Sequence, residues 1–372
     1  MHTADRRGKV QAVDGLVDPE SLGITLPHEH TFIDPRSSWF EPPGSAYERK
    51  LAQEPVALDN LWFVRRRPNT NTDNMVLDDV DEAIEEYGYY HRAGGDTVVD
   101  VTPKNLGGDP ERVAKISRAT GLTFVHGTGY YTAATHPEGL ADRSVDSLRA
   151  EFVSDVRQGI DGTGIRAGVI GEIGISTDED GEYHPTELDV LRAAARAARE
   201  TGAPLSVHPA GRTEASWRDY TYPSSRHALD LLDIIEEEGL APERVIICHM
   251  DRIMWEDLSY QMDLANRGAN LEYDLWGMEH YLEDDGPLNG WPSDMWRVNA
   301  VAELIEEGHA DRLLFSQDIC MKIMRRGYGG FGYAHILENV LPMLLEKGVE
   351  QAEIDSILTQ NPQRVLRFTE AA

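Results

Sequence analysis

Eight short apolar, β-branched-rich runs, most of them followed by a stretch with helical spacing, constrain the fold of this chain more than any other feature. They are LGITLPHEH (22 to 30), GDTVVDVT (95 to 102), LTFVHGTGYY (122 to 131), AGVIGEIGIS (167 to 176), APLSVHP (203 to 209), RVIICHMD (244 to 251), ANLEYDLW (269 to 276) and RLLFSQDI (312 to 319). Strands buried on both faces of a parallel sheet read as near-continuous apolar runs of this kind. The stretches between them, such as TELDVLRAAARAARETGA and SRHALDLLDIIEEEGLA, are amphipathic and close on glycine, as helix C-termini do. Eight β/α alternations in 372 residues predict one α/β domain, a single (β/α)8 TIM barrel over 1–372. No Pro/Gly/Ser-rich linker divides the chain. Loop insertions over the barrel mouth are expected at 35–78, 276–294 and 325–335, after the first, seventh and eighth runs.

Composition narrows the function classes. A formal charge of −30 opposes binding to nucleic acid or an anionic membrane, since phosphate-rich partners are repelled. No run approaches the roughly 18 apolar residues of a membrane span. Nothing apolar follows the basic residues of MHTADRRGKVQAVDG, so no secretory signal is read there and a cytoplasmic location is the expectation. The two cysteines, Cys248 and Cys320, give no disulfide framework and no cysteine-based zinc site; both are read as small apolar fillers. Lysine is scarce and carboxylates abundant, which suits a halophilic cytoplasm, although a high-GC genome would also explain the lysine shortage.

Barrel strands bring their C-terminal ends to one face. His28 and His30 end the first run, Glu172 lies in the fourth, His208 ends the fifth, His249 the sixth and Asp318 the eighth, so six metal-ligating side chains are predicted to converge. Residues i and i+2 of a strand point to one side, so His28 and His30 can serve one ion. Imidazole with carboxylate suits zinc first, with manganese, cobalt or iron as alternatives, and the set suffices for two divalent ions. A single histidine in a barrel strand is more often a hydrogen-bonded core residue, which is the reading of His126. His91, His184, His227 and His309 read as surface residues. His136, His280 and His335 lie in or beside strand-end loops, where substrate contact is open.

The combined motifs LPHEH, VDVT, GTGYY, VIGEIG, SVHP, CHMD, FSQD and QNPQRVL resemble the phosphotriesterase family of the amidohydrolase superfamily, in order and from about residue 15 onward. The resemblance implies a binuclear metallohydrolase in which His28, His30 and Asp318 hold the more buried ion and His208 with His249 the more exposed one. It also implies that Glu172 bridges them, as in the phosphotriesterase homology and phosphotriesterase-related branch. Tyr131 matches a catalytic tyrosine of lactone-hydrolysing relatives, though an aromatic there can also simply fill the barrel mouth. Where lactonases carry an arginine in strand seven, this chain has Leu275.

The expected reaction is attack by a hydroxide held between the ions, with Asp318 as proton acceptor, on a small ester, a lactone being the leading substrate. The alternatives are an N-acyl amide, a phosphoester, or a non-catalytic metal-binding barrel; an intact set of six ligands argues against the last. Lys104, Arg252, Lys322 and Arg325 follow strand ends and would give a cationic mouth for an anionic small molecule, each being readable as a solvated charge instead. A homodimer is an open possibility.

Overall fold

The structure is a computed structural model and describes residues 6–178, 180–210, 227–252, 258–279 and 292–371. An antiparallel hairpin of β1 (Val10–Ala12) and β2 (Gly15–Val17) comes first. Eight parallel strands follow: β3 (Thr25–Glu29), β4 (Thr97–Asp100), β5 (Thr123–Thr128), β6 (Val169–Gly174), β7 (Leu205–His208), β8 (Val245–Ile247), β9 (Asn270–Tyr273) and β10 (Leu313–Phe315). They pair in sequence order, which is the doubly covered parallel arrangement of a (β/α)8 barrel. All eight expected strands are present, each inside its apolar run.

Side chains complete the barrel between the last strand and the first. The Ser316 hydroxyl accepts from His28 N at 3.0 Å and donates to His28 O at 2.7 Å. The Glu29 carboxylate accepts from Gln317 N and Ile319 N at 2.8 and 2.9 Å, and shares the Ser316 hydroxyl proton with His28 O at 2.8 Å. Burial raises the Glu29 pKa to about 8 against these hydrogen bonds.

Val99, Val101, Val125, Val169, Ile246 and Leu314 fill the barrel axis, and Val10 from the hairpin packs with them. A larger apolar shell lies between strands and helices. Among its helices, α1 (Arg36–Trp39), α2 (Ala46–Leu51) and α3 (Leu61–Arg66) precede α4 (Val80–Arg92), α5 (Pro110–Thr120), α6 (Val145–Arg157) and α7 (Pro185–Thr201). The helices α8 (His227–Glu237), α9 (Leu258–Arg267) and α10 (Asp294–Glu306) complete the ring as far as β10. No helix among the described residues is long and apolar enough to cross a membrane.

The stretch 35–78, expected to be an irregular loop, contains α1 to α3. Its helices are short and poorly periodic, and they are held by tertiary burial of Leu51, Phe63 and Val64 rather than by an amphipathic pattern. Most of the expected insertion 276–294, with His280, lies outside the described residues.

Candidate metal centre

His28 and His30 both face the barrel axis, their ring centroids 5.5 Å apart. Glu172 reaches the same place because β6 is irregular between Ile170 and Ile173. Both isoleucines belong to the outer shell, so the extra residue between them turns Glu172 inward. Gly171 makes this possible: its φ is +138°, and a Cβ there would stand 2.4 Å from Ser206 O. His249 and Asp318 lie just beyond their strands with φ of 59° and 47°. Side chains rarely adopt that region, and both strained residues carry candidate ligand groups.

The six groups do converge. Glu172 Oε1 is 2.8 Å from His208 Nδ1 and 3.1 Å from His249 Nε2. His28 Nε2 stands 3.8 Å from Glu172 Oε1 and 3.8 Å from Asp318 Oδ1. His30 Nε2 lies 3.1 Å from Asp318 Oδ1 and 3.8 Å from Glu172 Oε2. Among the described residues, His28–His30–Asp318 and His28–Glu172–His249 have donor atoms close enough to share an ion.

A second layer orients the imidazoles. His28 Nδ1 donates to Glu272 Oε2 at 2.9 Å, His249 Nδ1 to Asp274 Oδ1 at 2.9 Å, and His30 Nδ1 meets Thr102 Oγ1 at 2.8 Å. Each partner occupies one ring nitrogen and leaves Nε2 for the centre, an arrangement typical of metal-binding histidines. Glu272 and Asp274 are an i, i+2 acidic pair inside the apolar run ANLEYDLW, the same signal that singled out His28 and His30, and sequence reasoning passed over them.

The electrostatics call for a cation. His28 Nε2 is buried without a hydrogen-bond partner. Burial disfavours charge on His28, yet neighbouring Cys248, Glu172 and Asp274 hold its pKa well above the usual range. His249 is likewise lifted to about 10, Asp274 outweighing burial. Burial and the adjacent His249 push His208 down to about 4, which keeps it neutral and able to donate a lone pair. Despite burial, the histidines hold Glu172 well below the ordinary carboxylate range. Ionised carboxylates out of reach of water require positive charge beside them, which protons on His28 and His249 or a divalent ion between the rings can supply. The donor set therefore fits divalent ions.

Tyr131 stands at the rim, its hydroxyl 3.3 Å from His208 Nδ1 and its ring 6.4 Å from that of Trp39 on α1. His136 Nε2 donates to Tyr131 O at 2.8 Å and so steadies this loop.

Along 8–366 the chain matches the family model described as the phosphotriesterase family. The chain belongs to the phosphotriesterase family. It is a metal-dependent hydrolase, of a family that works with binuclear metal centres. It is 35% identical to an N-acetyltaurine hydrolase of Salmo salar, over 97% of this chain and 98% of that protein. The structure resembles that of a resiniferatoxin-binding protein from Rhodobacter sphaeroides, with 38% identity, a TM-score of 0.88, and coverage of 97% and 96% of the two chains. A lactonase from Listeria monocytogenes is also similar, with 25% identity, a TM-score of 0.74, and coverage of 97% and 100%.

Three of the four candidate mouth cations pair with other groups. Lys104 pairs with Glu151 and Asp161 at 2.6 and 3.0 Å, and Lys322 with Asp73 at 2.7 Å. Arg325 is buried and donates to Thr31 O at 3.1 Å. Each follows a strand end in sequence, but its long side chain turns to the nearest carboxylate or carbonyl. The positive charge of Arg252 acts on both Tyr131 and His208. His126 is the expected core residue, with Nδ1 bonded to Gly127 O at 2.8 Å. His335 is buried against Asp294 at 2.6 Å, and His227, read as a surface residue, bonds Tyr183 OH at 2.6 Å. Both cysteines are buried and unpaired.

Proposed function

We propose that His28, His30 and Asp318 hold one divalent ion, zinc being the leading choice, that His208 and His249 hold a second, and that Glu172 lies between them. We further propose that this centre hydrolyses the C–N bond of a small N-acyl amide bearing an acidic group. The orphaned Nε2 of buried His28, facing two carboxylates, carries the metal assignment.

When bound, two such ions supply a Lewis acid for the substrate's carbonyl and lower the pKa of the attacking water towards neutrality. The chain's own groups do the rest. Asp318, held below its usual range by His30 and His28 in spite of burial, is ionised at neutral pH and can take the proton from water. It then passes that proton to the leaving amine, which would otherwise depart as a poor leaving group. Burial and the Glu172 charge raise the Tyr131 pKa well above the usual value, so its hydroxyl stays protonated and can donate to the carbonyl oxygen as charge develops there. Arg252, whose charge is felt at Tyr131 and His208, lies near enough to the centre to act on the substrate's acid group.

One observation favours the amide over the lactone. Leu275 stands where the lactonase resemblance calls for arginine, and it is buried with its backbone N bonded to Asp251 Oδ2 at 2.8 Å. The relative from Salmo salar, named for hydrolysis of an N-acyl aminosulfonate, supports the same reading. A lactone is the second reading, supported by the similarity to the Listeria lactonase. The test is amine release from N-acetyltaurine and N-acetyl amino acids by zinc-loaded protein, run beside a lactone panel. Turnover of an acidic N-acyl amide is expected; lactone cleavage without amide cleavage would reverse the order.

A further inference from the structure

Arg297, on α10, is a completely buried arginine. Its Nε donates to Asp251 Oδ2 at 2.9 Å, its Nη1 to Asp294 Oδ1 at 2.9 Å and its Nη2 to Met278 O at 3.1 Å. Asp294 and Arg297 are i and i+3 on α10, so they share one face of the helix. The same two carboxylate oxygens also take backbone N–H groups: Asp251 Oδ2 accepts from Leu275 N at 2.8 Å, and Asp294 Oδ1 from Gly277 N at 3.0 Å. Three points of the segment 275–278 are thus tied to one guanidinium, directly or through a carboxylate.

That segment starts immediately after Asp274, which orients a candidate metal ligand. Asp274 accepts from His249 N at 3.1 Å and from His249 Nδ1 at 2.9 Å. His249 has φ of 59°, a backbone conformation that persists only where the surroundings over-determine it. Asp251, the other anchor of Arg297, lies two residues beyond His249. Arg297 therefore holds the chain that leaves each partner of the Asp274–His249 contact.

The tie reaches one loop further. Asp294 Oδ2 accepts from His335 Nε2 at 2.6 Å, while His335 Nδ1 accepts from Asn339 Nδ2 at 3.0 Å. Gly277, with φ of 84°, packs so closely on this imidazole that a Cβ would stand 3.0 Å from His335 Cδ2. The segments that follow β9 and β10 are thus fixed to α10 and to each other. A buried ion pair adds little stability over well-packed apolar side chains of similar volume. What a guanidinium supplies instead is a set of donors in a fixed plane, aimed here at three separate acceptors.

We propose that Arg297 is a positioning residue for the metal centre: through Asp251 and the segment 275–278 it sets the place of Asp274, and through Asp274 the direction of His249 Nε2. Its own hydrogen bonds go to none of the six converging groups. The proposal rests on the assignment of His249 as a ligand made above.

The test is Arg297→Lys, which keeps a cation beside Asp251 and Asp294 and loses the planar fork. Amide hydrogen exchange is followed in the full chain with and without zinc, and ion affinities by chelator competition. Exchange at His249, Leu275 and Gly277 should quicken about tenfold, as expected for one lost charge-assisted hydrogen bond. Amides of β4 and β5 should keep their wild-type rates, because the opening is local. Affinity for one of the two ions should fall about tenfold, the lower end of what loss of outer support for a ligand costs. Exchange that quickens uniformly through the barrel, or nowhere, would reduce Arg297 to a structural ion pair and overturn the proposal. Unchanged affinity for every bound ion would overturn it too. Asp294→Asn, which removes a charge and keeps an oxygen for Gly277 N, should give the same local pattern and decides the matter if Arg297→Lys fails to fold. A single ion in the wild-type chain would count against the two-ion assignment, while the exchange pattern and the affinity of that ion would still decide the role of Arg297.

Discussion

His28 Nδ1 donates to Glu272 Oε2 at 2.9 Å, and the far side of the same ring, Nε2, is left bare between Glu172 and Asp318. Hydrogen bonding on one side thus leaves the other nitrogen free to meet an ion. Glu272→Gln should weaken binding of the ion at His28 about 10- to 100-fold, measured by competition with a chromogenic chelator, while the thermal transition of the metal-free protein moves little. An unchanged metal affinity would show that Glu272 merely fills space.

Tyr131→Phe separates metal binding from chemistry. The hydroxyl sits 3.3 Å from His208 Nδ1 but belongs to none of the candidate ligand groups. Metal content should stay at the wild-type level while kcat falls roughly 100-fold, the usual effect of deleting one donor to a developing oxyanion. Full activity in Tyr131→Phe would reduce the residue to a wall of the mouth.

Lys104, readable from sequence as a solvated charge or as part of a cationic mouth, lies among Glu151, Asp155 and Asp161. Burial would raise the Glu151 pKa, but the bonds from Lys104 and Arg143 outweigh it and leave the pKa depressed. A depressed carboxylate adds stability above its unfolded pKa and loses it as pH falls through the folded value. Lys104→Met should therefore cost about 1 kcal/mol at pH 7, small because the pair is partly exposed. The gap to wild type should narrow as the solution is acidified through the carboxylate range, in chemical denaturation series. A gap that widens on acidification would contradict this pairing.

Gly171→Ala tests how Glu172 is aimed. The added Cβ would meet Ser206 O at 2.4 Å, on a backbone with φ of +138°. A loss of about 3 kcal/mol or more in unfolding free energy is expected, together with reduced metal uptake. Wild-type stability would mean that the β6 irregularity is easily rearranged.

The barrel and the convergence of the six groups were legible because both depend on strand periodicity. Apolar runs mark buried parallel strands, and a polar residue closing such a run must lie at the rim. The inward turn of Glu172 was not derivable that way, since a strict alternation from Val169 would put Glu172 on the outer side; the irregularity between Ile170 and Ile173 reverses it. Glu272 and Asp274 were in plain view at i and i+2, but acidic residues are common and only their contact with His28 and His249 gives them meaning. The partners of Lys104, Lys322 and Arg325 were not legible, because sequence position fixes a Cα and leaves a long flexible side chain free to find its nearest partner. The helices of 35–78 lacked a periodic apolar face, so nothing local announced them.

The central claim is that Glu172 joins two ions between four histidines and Asp318. Elemental mass spectrometry of metal per chain, on wild type and Glu172→Ala, tests it most directly. The account predicts about two divalent ions per wild-type chain and a clear fall in the variant. One ion or none in folded wild-type protein, unchanged by the substitution, would contradict it.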